Sequence, residues 1–400
     1  MAGKSPFDLA FLAFGLPMLT GQAMMSSMWR GMTGLNDRGQ PAGGQEPQWA
    51  SEQRIALQLD AVTLRDFSGT TPDEPATESP SPGVIPTLVL APYSLHNAAV
   101  ADIAPGHSLM ATLRDEGLAR LFLVDWHSAT RSMRYRTIDD CLADLNVLVD
   151  SVGTPVDLVG LCQGGWLGLI YAARFPGKVR RIVLAGAPID LQAGSSRFSA
   201  LAASVPLHVF EEFVNHEDGL VLGEDVHAFW SAHEDEAAVA RQSLQIGEAG
   251  SSDDAELALD AYAAWNRSPI NLPGAYYLDV VHRIFHENQL VGGSFVALGR
   301  TIDLGAVRSP VYMLAAGQDD TVAREQIFAT EHLVGTPGEK IAKAIAPGNH
   351  LSLMMGQKML REVWPKIVRW LRAPSVQTVP AKPKPAAAAP RRRNRTARER

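Results

Sequence analysis

The sequence predicts an α/β fold in which a mostly parallel, doubly wound sheet carries an inserted helical cap. Short apolar runs typical of buried strands alternate with helical patterns from residue 87 to residue 194, and the alternation resumes after residue 310. Between these stretches, residues 195–298 carry several helical patterns in succession and many aromatic side chains. An insertion at this point is expected above the carboxyl ends of the strands, where it would cover a site formed there.

Five segments are expected along the chain of 400 residues. Residues 1–52 form an N-terminal apolar segment and a linker, and residues 53–194 form the first part of the α/β core. Residues 195–298 form the cap insertion, and residues 299–373 form the second part of the core. Residues 374–400 are rich in proline, alanine and arginine, which predicts a disordered basic tail.

The core elements follow from apolar periodicity and from capping and turn residues. Expected strands are the hairpin of residues 55–64, the runs 87–91, 121–124, 156–159, 181–185 and 340–345, and a strand from residue 311 that ends in acids. Expected helices are residues 108–116, 137–152, 167–173, 201–213, 276–285 and 351–371. The start of the second of these, Thr137-x-x-Asp140, resembles a capping box with Asp in place of Glu.

Composition limits the class of protein. A hydrophobic content of 46% is enough to bury one large core. The chain has two cysteines, too few for a disulfide framework, so we expect a reducing, cytoplasmic compartment. Cys141 falls in an amphipathic pattern and is expected to pack in the core. No dinucleotide fingerprint, P-loop or metal-ligand spacing is present, so the sequence predicts neither a cofactor nor a metal.

The two ends of the chain differ from the core. Residues 9–29 are uncharged and nearly long enough to span a bilayer, but Pro17 and Gly21 favour an amphiphilic helical segment that packs on the domain or touches an apolar surface. At the other end, residues 382–400 carry eight basic residues and one acidic residue within a chain of net charge −7. This tail is either an arm for an anionic partner, such as nucleic acid or a lipid surface, or a solvated disordered end.

The motif that carries the chemistry lies within residues 156–171. A buried strand leads into Gly160-x-Cys162-x-Gly164, and a helical pattern follows. This is the pattern of a nucleophile elbow with cysteine in place of serine, in which glycines let the strand and the helix pass closely. The backbone N–H of Gln163 would then bind an oxyanion. The alternative interpretation is that Cys162 is a small buried hydrophobic residue.

Two downstream residues complete a candidate triad with this cysteine. Asp319 follows a predicted strand, and His350 lies in a Gly/Asn loop before the last helix. The chain order of nucleophile, acid and histidine is that of the α/β-hydrolase fold. Asp320 is the alternative acid. Ser94, in the loop after an early strand, marks the expected position of a second oxyanion donor.

Several other side chains receive structural interpretations. His96 and His127 follow predicted strands on the active-site side, and a position in a surface loop is favoured over contact with a substrate. His282 and His286 are four residues apart on a predicted helix, but no third ligand lies near them in the sequence, so a metal site is not expected. Packing in the core or the cap is expected for Trp126, Trp166, Trp230 and Trp265.

Taken with the triad, the chain from about residue 85 to residue 371 resembles the polyhydroxyalkanoate synthases and the related intracellular polyhydroxyalkanoate depolymerases. Both are α/β-hydrolase folds with a cysteine nucleophile. The motifs nearest the synthases are Gly160–Gly165, Ala187–Asp190, Asn288-x-Leu290 with Gly293, Gly299–Leu304 and Ser309–Val311. The resemblance implies that Cys162 carries the acyl chain, His350 activates Cys162, and Asp319 orients His350.

Other features resemble the depolymerases or depart from both groups. Ala91-Pro-x-Ser94-x-His96 and Asp125-Trp-His-x-Ala129 are similar to the depolymerases, although Gly164 stands where those enzymes commonly have proline. Synthases usually have histidine where this chain has Asp320, and Asn349 separates glycine from His350. The resemblance therefore leaves two reactions open, polyester synthesis and polyester hydrolysis. A third hypothesis is a non-catalytic protein that binds a granule or another surface.

The cysteine itself favours synthesis. Exchange between a coenzyme A thioester and an enzyme thioester is nearly balanced in energy, and the enzyme thioester stays reactive toward a chain hydroxyl. The sequence thus favours acyl transfer from 3-hydroxyacyl-CoA onto a growing polyester, beside a granule or lipid surface. Because the chain is short for a synthase that works alone, an accessory subunit or a homodimer is expected.

Overall fold

The computed structural model describes residues 48–69, 83–231, 235–247 and 252–374. The predicted N-terminal apolar segment up to residue 47 and the basic tail from residue 375 lie outside these ranges. The expectations for both ends of the chain therefore stay predictions.

Eight strands form the central sheet. They are β1 (Arg54–Gln58), β2 (Val62–Asp66), β3 (Thr87–Leu90), β4 (Leu121–Trp126), β5 (Val156–Leu161), β6 (Val179–Ala185), β7 (Val311–Ala316) and β8 (Ile341–Ala346). Their spatial order is β1-β2-β4-β3-β5-β6-β7-β8. The pairs β1–β2 and β2–β4 are antiparallel, and all pairs from β4 to β8 are parallel. The predicted mostly parallel sheet is confirmed.

Both faces of this sheet are covered, which explains the continuous apolar runs of its strands. Leu158 of β5 packs into one hydrophobic cluster and its neighbour Val159 packs into the other. Successive side chains of a strand point to opposite faces, so a strand covered on both sides needs apolar residues at every position. The same alternation recurs in β3, where Leu88 and Val89 belong to different clusters.

Fourteen α-helices lie within the described residues. They are α1 (Leu109–Asp115), α2 (Ile138–Val152), α3 (Gln163–Arg174), α4 (Arg197–Ser204), α5 (Leu207–His216), α6 (Gly223–Ser231), α7 (Glu236–Leu244), α8 (Asp253–Asn266), α9 (Gly274–Asp279), α10 (Gln289–Gly292), α11 (Arg324–Phe328), α12 (Thr330–Leu333), α13 (Ser352–Met355) and α14 (Trp364–Arg372). Shorter 3₁₀ turns occupy Ala98–Ala101, Arg131–Met133, Leu304–Ala306 and Gly338–Lys340, and π-helical turns occupy Val280–His286 and Met359–Val363. Small antiparallel pairs join Leu220–Val221 to Leu272–Pro273 and Val296–Ala297 to Arg300–Thr301.

Local capping chemistry sets the starts of the core helices. Thr137 accepts a hydrogen bond from the Asp140 backbone N–H, and the Asp140 carboxylate accepts one from the Thr137 N–H, so the predicted capping box is confirmed. In the same way, the Ser108 hydroxyl accepts a hydrogen bond from the Ala111 N–H at the start of α1. Each contact satisfies an N–H that the first helical turn leaves without a partner.

Two long helices expected from the sequence are broken in the structure. The expected helix of residues 201–213 ends at Ser204, and α5 begins after Pro206. Proline lacks an N–H and disfavours helical backbone in the residue before it, so the chain restarts there. The expected helix of residues 351–371 is interrupted at Gly356, whose backbone is extended, and its final part begins with Pro365 in the first turn.

The cap is anchored to loops at the carboxyl ends of the strands. The segment after α8 pairs with the loop after β3, where the Ile270 N–H donates to the Leu95 carbonyl at 2.9 Å. Further along, the Asn271 N–H donates to the Ser128 hydroxyl at 3.0 Å, which adds a contact to the loop after β4. Helices α4 to α10 lie between residues 195 and 298, although the domain boundaries themselves stay a prediction. None of the described helices is both long enough and apolar enough to cross a membrane.

Replacing Gly164 by alanine should destabilise the fold, because a Cβ at this position would lie 2.1 Å from the Leu90 carbonyl oxygen. Backbone atoms cannot yield as a flexible side chain can, so we expect a loss of roughly 3 kcal/mol in the free energy of unfolding, measured by urea denaturation. The matched control is Gly177→Ala, since nothing lies within 4 Å of a Cβ there. Equal stability of the two variants would contradict the packing described.

Candidate active site

The turn between β5 and α3 holds Cys162 in an unusual backbone conformation. Its φ of 49° and ψ of −119° lie outside the regions that side-chain-bearing residues normally adopt. Close packing surrounds this turn: a Cβ on Gly160 would lie 2.4 Å from the Gly165 Cα. The strand and the helix can therefore approach only because glycine occupies these positions, as the elbow pattern predicts. Cys162 is 6% exposed and is a free thiol.

An acid and a histidine lie together beyond the ends of β7 and β8. Asp319 Oδ2 and His350 Nδ1 are 2.7 Å apart. The other oxygen of Asp319 accepts hydrogen bonds from the Thr321 and Val322 backbone N–H groups at 3.0 and 2.9 Å, which fix the carboxylate. Asp320 is exposed, and its side chain accepts from the Thr321 hydroxyl instead. The geometry thus pairs His350 with Asp319.

The loop that carries His350 is tied to the cap. Asn349 donates through Nδ2 to the hydroxyl of Ser243 in α7 at 3.1 Å, and its Oδ1 accepts from the Ser352 N–H at 3.0 Å. On the other side of the loop, Gly186 has φ +59°, and a Cβ there would lie 2.9 Å from His350 Cε1. The residue that separates glycine from histidine in the sequence therefore links the loop to the cap.

Charge and burial act against each other on His350. Burial lowers the pKa of the imidazole, but the charges of Asp319 and Cys162 outweigh burial and raise the pKa well above its usual value. Nε2 is buried, and the neighbouring Cys162 is one of the groups that raise the pKa of the ring. Such a ring is suited to take the proton of a neighbouring thiol.

A cavity of about 440 Å³ opens at these residues. Cys162 and His350 form part of its wall, and so do Ser94 and Gln163. Much of the rest comes from apolar side chains of the cap, which include Phe198, Leu201, Phe210, Val226, Trp230, Tyr277, Val280, Val281 and Phe285. An apolar enclosure of this kind accommodates hydrocarbon chains and limits the access of water.

The two residues expected to mark the oxyanion site lie in the same wall. Gln163 is the first residue of α3, where a helix leaves backbone N–H groups without intrahelical partners. Its side-chain oxygen accepts a hydrogen bond from the Tyr276 hydroxyl at 3.4 Å. Ser94 lies in the loop after β3. The structure brings both residues to the cavity, and their role toward an oxyanion stays a proposal.

Sequence reasoning misplaced one histidine, His96. The expected surface-loop position of His96 is wrong, because the residue is only 8% exposed and lies in the cavity wall. Trp230 and Trp265 also line the cavity, whereas Trp126 and Trp166 are buried in the core. The spacing of His96 two residues after Ser94 was the one signal available, since it places both residues in the loop after β3.

The other expectations concern residues away from the cavity. Cys141 is buried in the core as expected, and burial raises the pKa of its thiol. The ring of His127 contacts the hairpin, within hydrogen-bonding distance of Thr63 Oγ1 at 2.7 Å. Among the described residues, no group of three or more His, Cys, Asp or Glu is arranged to hold a metal, and His282 pairs with Glu287 at 3.1 Å.

The chain matches the model of a known protein family. The model of the alpha/beta hydrolase fold family matches residues 105–356. The chain belongs to the alpha/beta hydrolase fold family. The match includes the elbow, the acid and the histidine of this alpha/beta hydrolase, so the predicted fold class is confirmed.

Several curated relatives of this alpha/beta hydrolase are named as poly(3-hydroxyalkanoate) polymerases or polymerase subunits. The chain is 26% identical to the poly(3-hydroxyalkanoate) polymerase subunit PhaC of Synechocystis sp. over 340 residues, which cover 80% of this chain and 84% of that protein. It is 24% identical to the subunit of the same name from Allochromatium vinosum, over 73% of this chain and 82% of that protein. The resemblance stated from the sequence is confirmed.

The chain also superposes on solved structures of lower sequence identity. The thioesterase domain from the curacin biosynthetic pathway superposes with a TM-score of 0.46 at 14% identity, covering 80% of this chain and 99% of that one. A carboxylesterase from Bacillus subtilis superposes with a TM-score of 0.43 at 14% identity, covering 81% of this chain and 93% of that one.

Replacing Asp319 by asparagine should slow the reaction of Cys162 with iodoacetamide at neutral pH by about 100-fold. Without the negative charge, the pKa of His350 falls, because burial already lowers it. A less basic ring takes the thiol proton less readily, so less thiolate is present. The rate is measured by mass spectrometry of the Cys162 peptide.

The matched control is Asp320→Asn, which removes one carboxylate from an exposed neighbour and should change this rate by no more than about twofold. A loss of the same size in both variants, or in Asp320→Asn alone, would show that the paired acid has been assigned wrongly.

Proposed function

We propose that this alpha/beta hydrolase is a polyhydroxyalkanoate synthase-like acyltransferase. It forms a thioester on Cys162 from 3-hydroxyacyl-CoA and extends a polyester. The observation that carries the proposal is a free cysteine at the elbow turn, in the wall of the same cavity as a histidine held by Asp319. The names of the curated relatives supply the substrate class and support this reading.

The first step is transfer of the acyl group to the enzyme. His350 takes the Cys162 proton, and the thiolate attacks the carbonyl carbon of the substrate thioester. The carbonyl oxygen becomes an oxyanion, which the Gln163 N–H and an N–H in the loop after β3 stabilise. The carbon–sulfur bond to coenzyme A then breaks, and the protonated His350 returns its proton to the leaving thiolate.

The second step transfers the acyl group to the chain. His350 removes the proton of an acceptor hydroxyl, and the oxygen attacks the Cys162 thioester. An ester bond forms, the bond to Cys162 breaks, and the proton on His350 goes back to the sulfur. Asp319 keeps Nδ1 as the nitrogen that carries a proton, so that Nε2 is free to exchange one in both steps.

Water competes with the acceptor hydroxyl in the second step. The cap favours synthesis because its apolar side chains line much of the cavity that contains Cys162, which limits the access of water. Hydrolysis would follow if water reached the thioester, which is the depolymerase reading that the Ala91–His96 motif keeps open. The difference between the two reactions therefore lies in the acceptor and not in the triad.

Replacing Cys162 by alanine should abolish release of coenzyme A from 3-hydroxybutyryl-CoA and remove the acyl adduct detected by mass spectrometry, because the variant has no nucleophile at the turn. The matched control is Cys141→Ala, which removes the other cysteine from the packed core and should keep the adduct. An adduct that persists in Cys162→Ala would end the mechanism.

The acceptor is identified with two substrates supplied separately to the wild-type protein. Release of coenzyme A with growth of polymer supports synthesis, whereas release of monomer from amorphous polyester supports the depolymerase reading. Binding to polyester granules without either reaction, and with Cys162 unreactive toward thiol reagents, would support the third hypothesis, a non-catalytic granule binder.

The partners remain part of the proposal. These curated relatives are named subunits, so we propose that this chain also works with an accessory subunit or with a second copy of itself. The proposed location is the cytoplasm, at the surface of a granule. The basic tail is the candidate arm for an anionic surface, with nucleic acid as the less favoured partner.

A further inference from the structure

His96 is fixed in the cavity wall by contacts on several sides. Its backbone pairs with Pro269 of the cap. Its ring lies over Trp265, with centroids 4.2 Å apart at 34°, and meets the edge of His227 at 5.7 Å. A side chain held by a backbone bridge and two aromatic contacts is preorganised for contact with whatever occupies the cavity.

One hydrogen bond decides the tautomer of this ring. His96 Nε2 lies 2.9 Å from the carbonyl oxygen of Asn266. A carbonyl oxygen can only accept, so Nε2 carries the proton and Nδ1 presents a lone pair. Among the residues that the structure describes, none donates a hydrogen bond to Nδ1. Nδ1 is also not one of the fully buried polar atoms of these residues that lack a hydrogen-bond partner.

The ring is also uncharged at neutral pH. Burial lowers the pKa of His96 to about 4, the Asn266 carbonyl opposes this shift, and the neighbouring His227 adds to it. A neutral histidine with a free lone pair is a hydrogen-bond acceptor and neither attracts nor repels an anion. In a cavity whose wall is mostly apolar, such a group favours ligands that carry a hydroxyl donor.

We propose that His96 determines specificity for 3-hydroxyacyl substrates by accepting, at Nδ1, the hydrogen bond of their 3-hydroxyl group. This inference rests on the function proposed above. The residue lines the same cavity as Cys162, so an acyl group that reaches the sulfur lies within the space that the ring bounds. An acyl group without the hydroxyl would leave Nδ1 without a donor in a site poor in water, which disfavours it.

The test compares two ligands that differ in this hydroxyl alone. Cys162→Ala protein, which cannot react, is titrated with 3-hydroxybutyryl-CoA and with butyryl-CoA by calorimetry. The coenzyme A part is common to both, so the ratio of the two dissociation constants reports on the hydroxyl. We expect the hydroxylated ligand to bind about fivefold to tenfold more tightly, the effect of one neutral hydrogen bond.

Two substitutions of His96, each made in the Cys162→Ala protein, test the roles of its two ring nitrogens separately. His96→Gln places an amide nitrogen near the Nε2 position, retains the bond to Asn266 and removes the acceptor at Nδ1, so the ratio should fall to near one. His96→Asn places an amide oxygen near the Nδ1 position and should keep most of the preference. The matched control is His127→Gln, the same change at a histidine outside the cavity, which should leave the ratio unchanged.

Each outcome decides the matter. Equal binding of the two ligands by Cys162→Ala, or a preference that survives His96→Gln, overturns the assignment of His96. If the wild-type protein still releases coenzyme A from 3-hydroxybutyryl-CoA, the proposed function stands while the inference fails. If neither ligand binds and the wild-type protein releases no coenzyme A, the proposed function and this inference fail together.

Discussion

The close approach of α3 to the sheet is the constraint on which the site depends. Gly164 packs against the Leu90 carbonyl and Gly160 packs against Gly165, at distances that leave no room for a side chain. A chain that leaves β5 and enters a helix so close to the strand must turn sharply. Cys162 therefore takes a positive φ, and the start of α3 lies immediately beside the sulfur. Backbone packing, more than any side-chain contact, fixes the position of the candidate nucleophile.

The parallel strands then bring distant parts of the chain to one edge of the sheet. β5, β7 and β8 all end on this side, so residues separated by almost two hundred positions meet there. The 2.7 Å contact between Asp319 and His350 opposes the effect of burial and keeps the ring basic. Because Asn349 also donates a hydrogen bond to Ser243 of the cap, a movement of the cap would be transmitted to the loop that holds His350.

The cap supplies the chemical character of the cavity. The core alone provides the candidate triad, an arrangement that many acyl-transfer reactions can use. The cap adds apolar and aromatic side chains, and Asn266 at the end of α8 fixes the tautomer of His96. Selection among acyl groups, and between water and a hydroxyl as the acceptor, is thus expected to depend on the insertion and on the loop after β3. The likeness to polymerase subunits is spread over most of the chain and does not by itself locate this selectivity.

The sequence by itself determined the strands of the core, the capping box at Thr137 and the elbow around Cys162, because these features depend on residues adjacent along the chain. It also indicated Asp319 and His350, since each follows a strand in the order of the fold. Only the tertiary structure decided that His96 lies in the cavity wall and that Asn349 joins the loop of His350 to Ser243 in the inserted segment. The physical reason is that the burial of a loop residue and the path of an inserted segment depend on contacts between distant parts of the chain. A local sequence pattern carries no information about such contacts.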